Sequence, residues 1–402
     1  ISLGLVGSEM CIRDRYNTWS EGNMKIVNRK ELLFLNFMAY SLIGNAGVIQ
    51  LDNPKGEDGK VLTITNVCKV ARVTGEALPG ESIYNPNNTG SDFDVYGSDL
   101  GIMWHTRKNQ VGLFFGDTSG EGFVINKNGG NGSNWRSNVV AFSSDTDLTD
   151  GLKIDSMLLD SEGKAREICA GGKTHPEVYQ TSIPTSAIRA GKLDCVHYMN
   201  IRDWGGPHGR WLTNFSSLYT SKDGGSTWER CHEVTFSPDS HFSQVAYAKR
   251  NGWVYMIGTQ SGRGDAAYLA RFREKNILDM KSYEFWNGER KEWVRGKEEA
   301  ATPILRGPVG EASLLWHKKF KRWILTYNYD PNYDKTPITK KSCILYCTAE
   351  DITEWGSPKV LYPTHYCAYL HPLKDNEDKI WFISSKWGPY NTFLMSADLH
   401  LE

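Results

Sequence analysis

Two aspartates, Asp99 and Asp117, carry the chemistry that this sequence suggests most directly. They stand at the open ends of two predicted strands, 99–106 and 110–117, which are joined by a short turn. If that turn is centred on Lys108, the two aspartates are cross-strand neighbours, with Cβ atoms about 4.5–5.5 Å apart. Carboxyl groups this close repel each other, so one pKa rises and an acid separates from a base or nucleophile. Hydrolysis of a glycosidic bond requires such a pair.

Each aspartate also has a purely structural interpretation. Aspartates beside glycine are mostly turn residues. In that case Asp117 caps the turn at 116–120 and Asp99 bonds to the backbone. A third candidate carboxylate, Glu311, follows Gly307-Pro308-Val309-Gly310. It is either a further member of the site or the partner of a nearby arginine.

Further side chains are candidates for binding a sugar, by hydrogen bonds to its hydroxyls or by stacking on its face. They are Arg136, Asn138, His197, Arg202, Trp204, Gln244, Arg263, Trp387 and Tyr390. For each of them, core packing or a solvated loop is an equally good explanation. No spacing typical of metal ligands or of a phosphate-binding loop occurs. We therefore expect no metal site and no required cofactor, and leave a bound cation open.

The elements that must position these residues form a repeat. A short apolar strand runs into a polar corner five times, at 139–145, 217–223, 267–271, 344–350 and 392–398. Each is preceded by a predicted hairpin: 99–106 with 110–117, 184–190 with 193–202, 243–249 with 253–259, 310–317 with 322–329, and 367–373 with 379–385. A period of roughly 50–75 residues made of strands predicts an all-β, five-bladed β-propeller with four-stranded blades. The strand at 61–73 is expected to close the last blade, which removes an open edge.

One face of the predicted propeller gathers the candidate residues. The first strand of each blade begins there and the second ends there, so the loops 116–120, 202–206, 259–263, 329–333 and 386–390 share it. We therefore expect Trp204, Arg263, Trp387 and Tyr390 to open onto the same cleft as Asp99.

One further motif predicts a structural turn. It is the segment Ser221-Lys222-Asp223-Gly224-Gly225-Ser226-Thr227-Trp228, which matches the Asp-box pattern. The aspartate of such a turn accepts hydrogen bonds from backbone N–H groups.

The start of the chain has a different character. Residues 1–23 resemble translated sequencing-adapter read-through and are expected to lie outside the protein proper. Residues 24–47 combine basic residues, an apolar run at 32–43 and small residues, which is typical of a secretory signal peptide. A buried N-terminal helix is the alternative. Residues 48–60 are a predicted linker, and 61–402 the catalytic propeller. We thus expect a secreted or periplasmic bacterial protein with no membrane span after cleavage.

Composition narrows the class of partner. The 46 Lys and Arg residues nearly balance the 47 Asp and Glu residues, so nothing favours nucleic acid. Aromatic residues make up 12% of the chain, and many fall in predicted loops, which suits a polysaccharide or oligosaccharide. Eight cysteines are present, one of them in the adapter-like segment. The odd remainder leaves at least one thiol free or paired between chains if the protein is exported.

Residues from about 61 to 400 resemble a family of secreted bacterial five-bladed propellers long catalogued as a domain of unknown function. Members of that family are assigned as endo-D-arabinanases, which cleave the D-arabinan of mycobacterial arabinogalactan and lipoarabinomannan. The segments that carry the resemblance are 97–104, 115–118, 135–138, 211–216, 307–311 and 386–391. The resemblance implies a glycoside hydrolase in which Asp99 and Asp117 are the catalytic pair. A glycan-binding propeller without catalysis and a sialidase-like hydrolase are the alternatives, although only one complete Asp box is present.

Overall fold

A computed structural model describes the protein over residues 59–126, 129–170 and 181–402. The predicted segments 1–23 and 24–47, and most of the predicted linker 48–60, lie outside the described residues. Within the described part, the chain is almost entirely β-structure, arranged as five antiparallel sheets around an axis. The all-β, five-bladed propeller predicted from the repeat is therefore confirmed.

The chain enters the propeller through β1 (Leu62–Arg72) and a short helix, α1 (Thr89–Phe93). The first blade consists of β2 (Leu100–His105), β3 (Val111–Phe115), β4 (Val139–Ser143) and β5 (Ser156–Met157). The second consists of β6 (Thr181–Ala190), β7 (Leu193–Asp203), β8 (Leu212–Ser221) and β9 (Glu229–Phe236). In both blades the strands follow one another across the sheet in chain order.

The third blade carries one strand more than predicted. It consists of β10 (Gln244–Arg250), β11 (Trp253–Thr259), β12 (Tyr268–Arg273), β13 (Glu284–Asn287) and β14 (Glu292–Arg295). The additional β13–β14 hairpin places Trp286 opposite Trp293, and their ring centroids are 5.2 Å apart. This aromatic pair packs against the core and holds the extra strand on the outer edge.

The fourth and fifth blades complete the ring. The fourth consists of β15 (Ala312–His317), β16 (Arg322–Tyr329), β17 (Cys343–Ala349) and β18 (Lys359–Tyr362). The fifth consists of β19 (Tyr366–Leu370), β20 (Lys379–Lys386) and β21 (Asn391–Leu401), with β1 paired to the outside of β21. The prediction that an N-terminal strand closes the last blade is confirmed.

Several of the connections between strands contain a single turn of 3-10 helix. Within the described part, these lie at Leu148–Asp150, Pro207–Gly209, Glu274–Asn276, Met280–Ser282, Glu298–Ala300 and Pro331–Tyr333. No helix of the described part is long and apolar enough to cross a lipid bilayer.

The core lies between neighbouring blades, because each sheet is covered on both faces. Every residue of β3 and β4 is buried, and these strands read as nearly continuous apolar runs. Each large apolar side chain buried in this way stabilises the fold by about 1.5–3 kcal/mol. The seven cysteines of the described part are free thiols, and all but Cys68 are buried.

The Asp-box turn has the structural role that its sequence predicts. The Asp223 side chain accepts hydrogen bonds from the backbone N–H groups of Ser226 and Thr227, both at 3.0 Å. Desolvation would raise the pKa of Asp223, but its hydrogen bonds lower that pKa to about 2. Trp228 packs edge-on against Phe114 with ring centroids 5.2 Å apart, and so ties the second blade to the first.

Candidate active site

The position of Asp99 is set by a bulge at the start of the first blade. Strands β2 and β3 pair in the predicted register from Ile102↔Phe114 onward, but Leu100 pairs with Phe115. Leu100 and Gly101 adopt left-handed φ values of 71° and 90° and absorb the extra residue. The Asp99 carbonyl accepts a 3.1 Å hydrogen bond from the N–H of Gly116. The predicted direct opposition of Asp99 and Asp117 is therefore wrong by one residue.

The bulge still leaves the two carboxyl groups electrostatically coupled. A Cβ atom on Gly116 would collide with the Asp99 carboxyl, so the glycine lets this side chain lie across the neighbouring strand. Desolvation raises the pKa of Asp99 to about 8, and the negative charge of Asp117 is the next cause. Asp99 consequently holds a proton at neutral pH while it lies beside a second carboxyl group.

Both carboxyl groups also accept hydrogen bonds from neighbouring blades. The Tyr366 hydroxyl donates to Asp99 Oδ2 at 3.0 Å, and the Thr181 hydroxyl donates to Asp117 Oδ1 at 2.6 Å. Tyr366 begins β19 and Thr181 begins β6, so the fifth and second blades hold the pair between them. Asp99 and Asp117 are themselves half-buried, which leaves them open to a ligand.

A second tyrosine, Tyr390, completes the surroundings of Asp99. Burial, the charges of Asp99 and Asp117, and a hydrogen bond to Asp99 raise the pKa of Tyr390 well above its usual value. Desolvation and Asp99 have the same effect on the pKa of Tyr366. Both phenols therefore remain protonated, and Tyr366 donates to Asp99.

Glu311 forms an ion pair, which was one of its two predicted roles. Arg263 Nη2 donates to Glu311 Oε1 at 2.6 Å, and Arg263 Nε donates to Oε2 at 2.9 Å. Asn328 Nδ2 donates to Oε2 at 2.7 Å. Desolvation would raise the pKa of Glu311, but Arg263 and these hydrogen bonds outweigh it and lower the pKa. Glu311 is thus an ionised carboxylate whose charge raises the pKa of Asp99.

A continuous series of contacts crosses this face of the propeller, and we call it the aromatic arc. Its members in order are Trp204, Trp211, Arg263, Tyr366, Trp387, Tyr390 and Phe123. Trp204 is 40% exposed and Trp387 is 47% exposed, so each presents a ring to solvent. The arc connects Trp204, Arg263, Trp387 and Tyr390 with Asp99 through Tyr366.

Three predicted sugar-binding residues are structural instead. Arg136 donates to the carbonyls of Ala165 and Asp94 at 2.9 and 2.7 Å. Asn138 donates to the Cys169 and Ser182 carbonyls, and the His197 ring bonds to Tyr247 and Ser243. All three side chains are buried and bond to the protein itself, although Arg136 Nε has no hydrogen-bond partner among the described residues. The prediction that Arg136, Asn138 and His197 contact a sugar is therefore corrected.

The two remaining candidates differ from each other. Gln244 begins β10 and is 3% exposed, and its Oε1 accepts a hydrogen bond from the N–H of Gly262 at 3.3 Å. It supports the loop that carries Arg263. Arg202 lies exposed near the end of β7.

The sequence analysis missed Tyr366, Thr181, Trp211 and Asn328. Tyr366 and Thr181 begin the first strands of their blades, just as Asp99 and Glu311 directly precede β2 and β15. The same positional argument that selected the two acidic residues would have selected these two donors.

A separate cavity lies away from the carboxyl pair. It has a volume of about 320 Å³ and is lined by the far ends of the five inner strands, including Trp104, Ile188, Lys249, Leu314 and Leu370. Its lining does not include the carboxyl pair, which sits where these strands begin. Among the described residues, no group of three or more His, Cys, Asp or Glu side chains is arranged to hold a metal ion.

Comparison with known families identifies the chain. The profile of the family "Domain of unknown function (DUF4185)" matches residues 84–396, which include both aspartates and the whole aromatic arc. The chain therefore belongs to this family. Notoamide biosynthesis cluster protein J from Aspergillus sp. (strain MF297-2) is 23% identical over 321 residues, covering 74% of this chain and 82% of that protein.

Two solved structures are similar to this chain, and the first of them supports the fold. A protein of Bacteroides ovatus ATCC 8483, described only provisionally as a hydrolase, superposes with a TM-score of 0.50 and 11% identity, covering 76% of this chain and 86% of that one. A glycosyl hydrolase from Bacteroides ovatus gives a TM-score of 0.48 with 10% identity, covering 86% and 96%. At 11% identity, the first likeness shows the shared fold alone.

Proposed function

We propose that this member of the DUF4185 family is a glycoside hydrolase that cleaves internal bonds of D-arabinan with Asp99 and Asp117. The observation that carries the proposal is the placement of Asp99, whose side chain crosses Gly116 and accepts a 3.0 Å hydrogen bond from Tyr366. Desolvation and the neighbouring charge of Asp117 raise its pKa to about 8. A carboxylic acid that keeps its proton at neutral pH, next to a second carboxyl group, is the arrangement that glycosidic cleavage uses.

In the proposed reaction, Asp99 is the general acid. It donates its proton to the glycosidic oxygen as the bond to the anomeric carbon breaks. Asp117 either attacks the anomeric carbon or takes a proton from the attacking water. Tyr366 donates a hydrogen bond to the carboxylate that Asp99 becomes, and Thr181 orients Asp117. These donors favour the charge that develops during the reaction.

Two features support a polymeric furanose substrate. Exposed tryptophans lie at separate positions on the aromatic arc, Trp204 on the second blade and Trp387 on the fifth, and offer stacking platforms on different sides of Asp99. The segments that resemble the endo-D-arabinanases, among them 97–104 and 386–391, contribute Asp99 and Trp387 themselves.

The same arc favours a second candidate function, glycan binding without cleavage. Stacking platforms are needed for binding as much as for catalysis. The coupled carboxyl pair argues for catalysis, because binding alone needs no protonated aspartate beside a carboxylate.

The test is to incubate the purified protein with D-arabinan, L-arabinan and a sialylated oligosaccharide, and to analyse the released sugars by mass spectrometry. We expect D-arabinan alone to yield oligosaccharides of several sizes. Release of sialic acid would support the sialidase-like alternative, and binding without any release would support the glycan-binding alternative.

We also propose that the protein is exported through the segment 24–47. The basis is the order of basic, apolar and small residues in that segment. Sequencing the N-terminus of the mature protein after expression in a bacterial host tests the proposal. Cleavage close to residue 47 supports it, and an uncleaved cytoplasmic product contradicts it.

A further inference from the structure

Arg263 is held rigidly, yet only part of its guanidinium is occupied. Its Nε and Nη2 donate to the two oxygens of Glu311 at 2.9 and 2.6 Å, in a side-on bidentate pair. Nη1 donates to none of the residues that the structure describes. The Arg263 side chain is 35% exposed, whereas that of Glu311 is 8% exposed. One edge of the fork therefore faces the protein, and the edge formed by Nη1 and Nη2 remains available to a ligand.

The backbone around Arg263 is fixed as well. The Arg263 N–H donates to the Gly209 carbonyl at 2.8 Å. Gly262 has a φ of 116°, and a Cβ atom there would collide with the same carbonyl, so only glycine permits this approach. The guanidinium is thus placed before any ligand arrives, which reduces the entropic cost of binding.

Two aromatic rings flank the guanidinium. Arg263 Cζ lies 5.5 Å from the centroid of Trp211 and 5.9 Å from that of Tyr366. Tyr366 in turn donates to Asp99, so the free edge of Arg263 lies one side chain away from the proposed acid. A sugar that stacks on the arc beside Trp211 would present its hydroxyls to this edge.

The local charge balance selects the kind of sugar. The charged groups that act most strongly on Asp99 are Asp117, Glu311 and Arg263. Glu311 neutralises the charge of Arg263, so the charge that remains beside Asp99 is the negative charge of Asp117. A carboxylate-bearing sugar would be repelled by that charge, whereas hydroxyl groups accept hydrogen bonds from the guanidinium without such a cost.

We infer that Arg263 is a specificity-determining residue, whose free edge donates hydrogen bonds to two adjacent hydroxyls of a neutral sugar beside the cleaved bond. The inference rests on the proposed function for the location of that bond, and it excludes sialic acid and uronic acids as occupants. Glu311 is the positioning residue that keeps the fork in place.

The test compares two Arg→Lys substitutions. Arg263→Lys retains a positive charge for Glu311 but loses the fork. The matched control is Arg271→Lys, at another Arg–Glu pair, in which Arg271 Nε donates to Glu284 Oε2 at 2.7 Å. Binding of D-arabinan oligosaccharides is measured by calorimetry in an Asp117→Asn background, together with thermal melting. We expect Arg263→Lys to weaken binding at least about 10-fold, the effect of losing a charge-assisted hydrogen bond, and Arg271→Lys to leave affinity unchanged.

A second variant guards against misfolding. The double substitution Arg263→Gln with Glu311→Gln removes both charges and leaves no buried ion unpaired. It should weaken binding to a similar extent. Oligogalacturonate and sialyllactose, measured with the parent protein that retains Asp117, should show no binding at millimolar concentration.

The outcomes separate this inference from the proposed function. Unchanged affinity in Arg263→Lys, binding of an anionic sugar, or absence of binding to every neutral glycan would each overturn the inference. If the parent binds arabinan but cleaves nothing, the proposed hydrolase activity fails. The loss of affinity in Arg263→Lys would then still support the role of Arg263.

Discussion

At the scale of single residues, the groups around Asp99 determine its protonation state. Desolvation and Asp117 raise its pKa to about 8, Tyr366 opposes this rise, and Glu311 adds to it. Because the pKa of Asp99 is higher in the folded than in the unfolded chain, the fold loses stability progressively as pH rises from 3.8 to about 8. The native fold therefore carries a cost at neutral and alkaline pH that Asp99→Asn would remove.

The first prediction concerns the pH dependence of cleavage. Because Asp99 must be protonated to act as an acid, kcat/KM should fall as pH rises through about 8. Glu311→Gln removes a negative charge that raises the pKa of Asp99, so it should move this alkaline limb to lower pH. Rate measurements between pH 5 and 10 test both statements, and an alkaline limb that Glu311→Gln leaves in place would contradict the assigned coupling.

The second prediction concerns Tyr366. Its hydroxyl stabilises the ionised form of Asp99, so Tyr366→Phe should raise the pKa of Asp99 and shift the alkaline limb to higher pH. The kcat should fall as well, since the carboxylate formed after proton transfer loses a donor. Tyr362→Phe, at the end of β18 in the neighbouring fourth blade, is the control. If both variants give identical pH profiles, the hydrogen bond from Tyr366 to Asp99 does not contribute to catalysis.

At the scale of elements, the hairpin of the first blade shows how far sequence reasoning reaches. Strand propensity and tight Gly, Asn and Lys turns placed the ends of β2 and β3 within two residues, and those of the other four hairpins within three. The bulge was not predictable, because Leu100 has a left-handed φ that residues other than glycine rarely adopt. The role of Arg136 was not predictable either, because its guanidinium bonds to the carbonyls of Ala165 and Asp94, which are distant in the sequence.

The third prediction tests the bulge. Gly116→Ala would place a methyl group against the Asp99 carboxyl and within 2.8 Å of Leu100 Cδ1. Asp99 must then shift away from Asp117, and we expect kcat to fall at least about 10-fold, because small displacements of catalytic groups are costly. Near-parental kcat in a variant that melts like the parent would show that the crossing of Asp99 over Gly116 is irrelevant.

At the scale of the whole molecule, the ring is closed by pairing the N-terminal and C-terminal strands. Val61 and Glu402 exchange backbone hydrogen bonds of 2.7 and 3.0 Å. Leu62 and Ile64 point into the core between the fourth and fifth blades. The sequence predicted this closure because an open ring would leave an unpaired strand edge. The fifth strand of the third blade was missed, because its four-residue strands are too short to give a periodic signal.

The fourth prediction concerns this closure. Leu62→Ala with Ile64→Ala removes two buried side chains, each of which should cost about 2–5 kcal/mol of the free energy of unfolding. The matched control is Thr63→Ala with Thr65→Ala, on the opposite face of the same strand. Urea denaturation followed by tryptophan fluorescence measures both, and equal midpoints for the two variants would contradict closure by β1.

The most direct test of the central claim is the turnover of Asp99→Asn and Asp117→Asn on D-arabinan. Each should lower kcat by at least about 100-fold, the usual contribution of general acid–base catalysis, while Asp99→Asn melts no earlier than the parent at pH 7. Glu311→Gln should keep kcat within about tenfold of the parent and raise KM, because its carboxylate positions Arg263 rather than reacting. Loss of cleavage in Glu311→Gln, with near-normal turnover in either aspartate variant, would contradict the assignment of Asp99 and Asp117 as the catalytic pair.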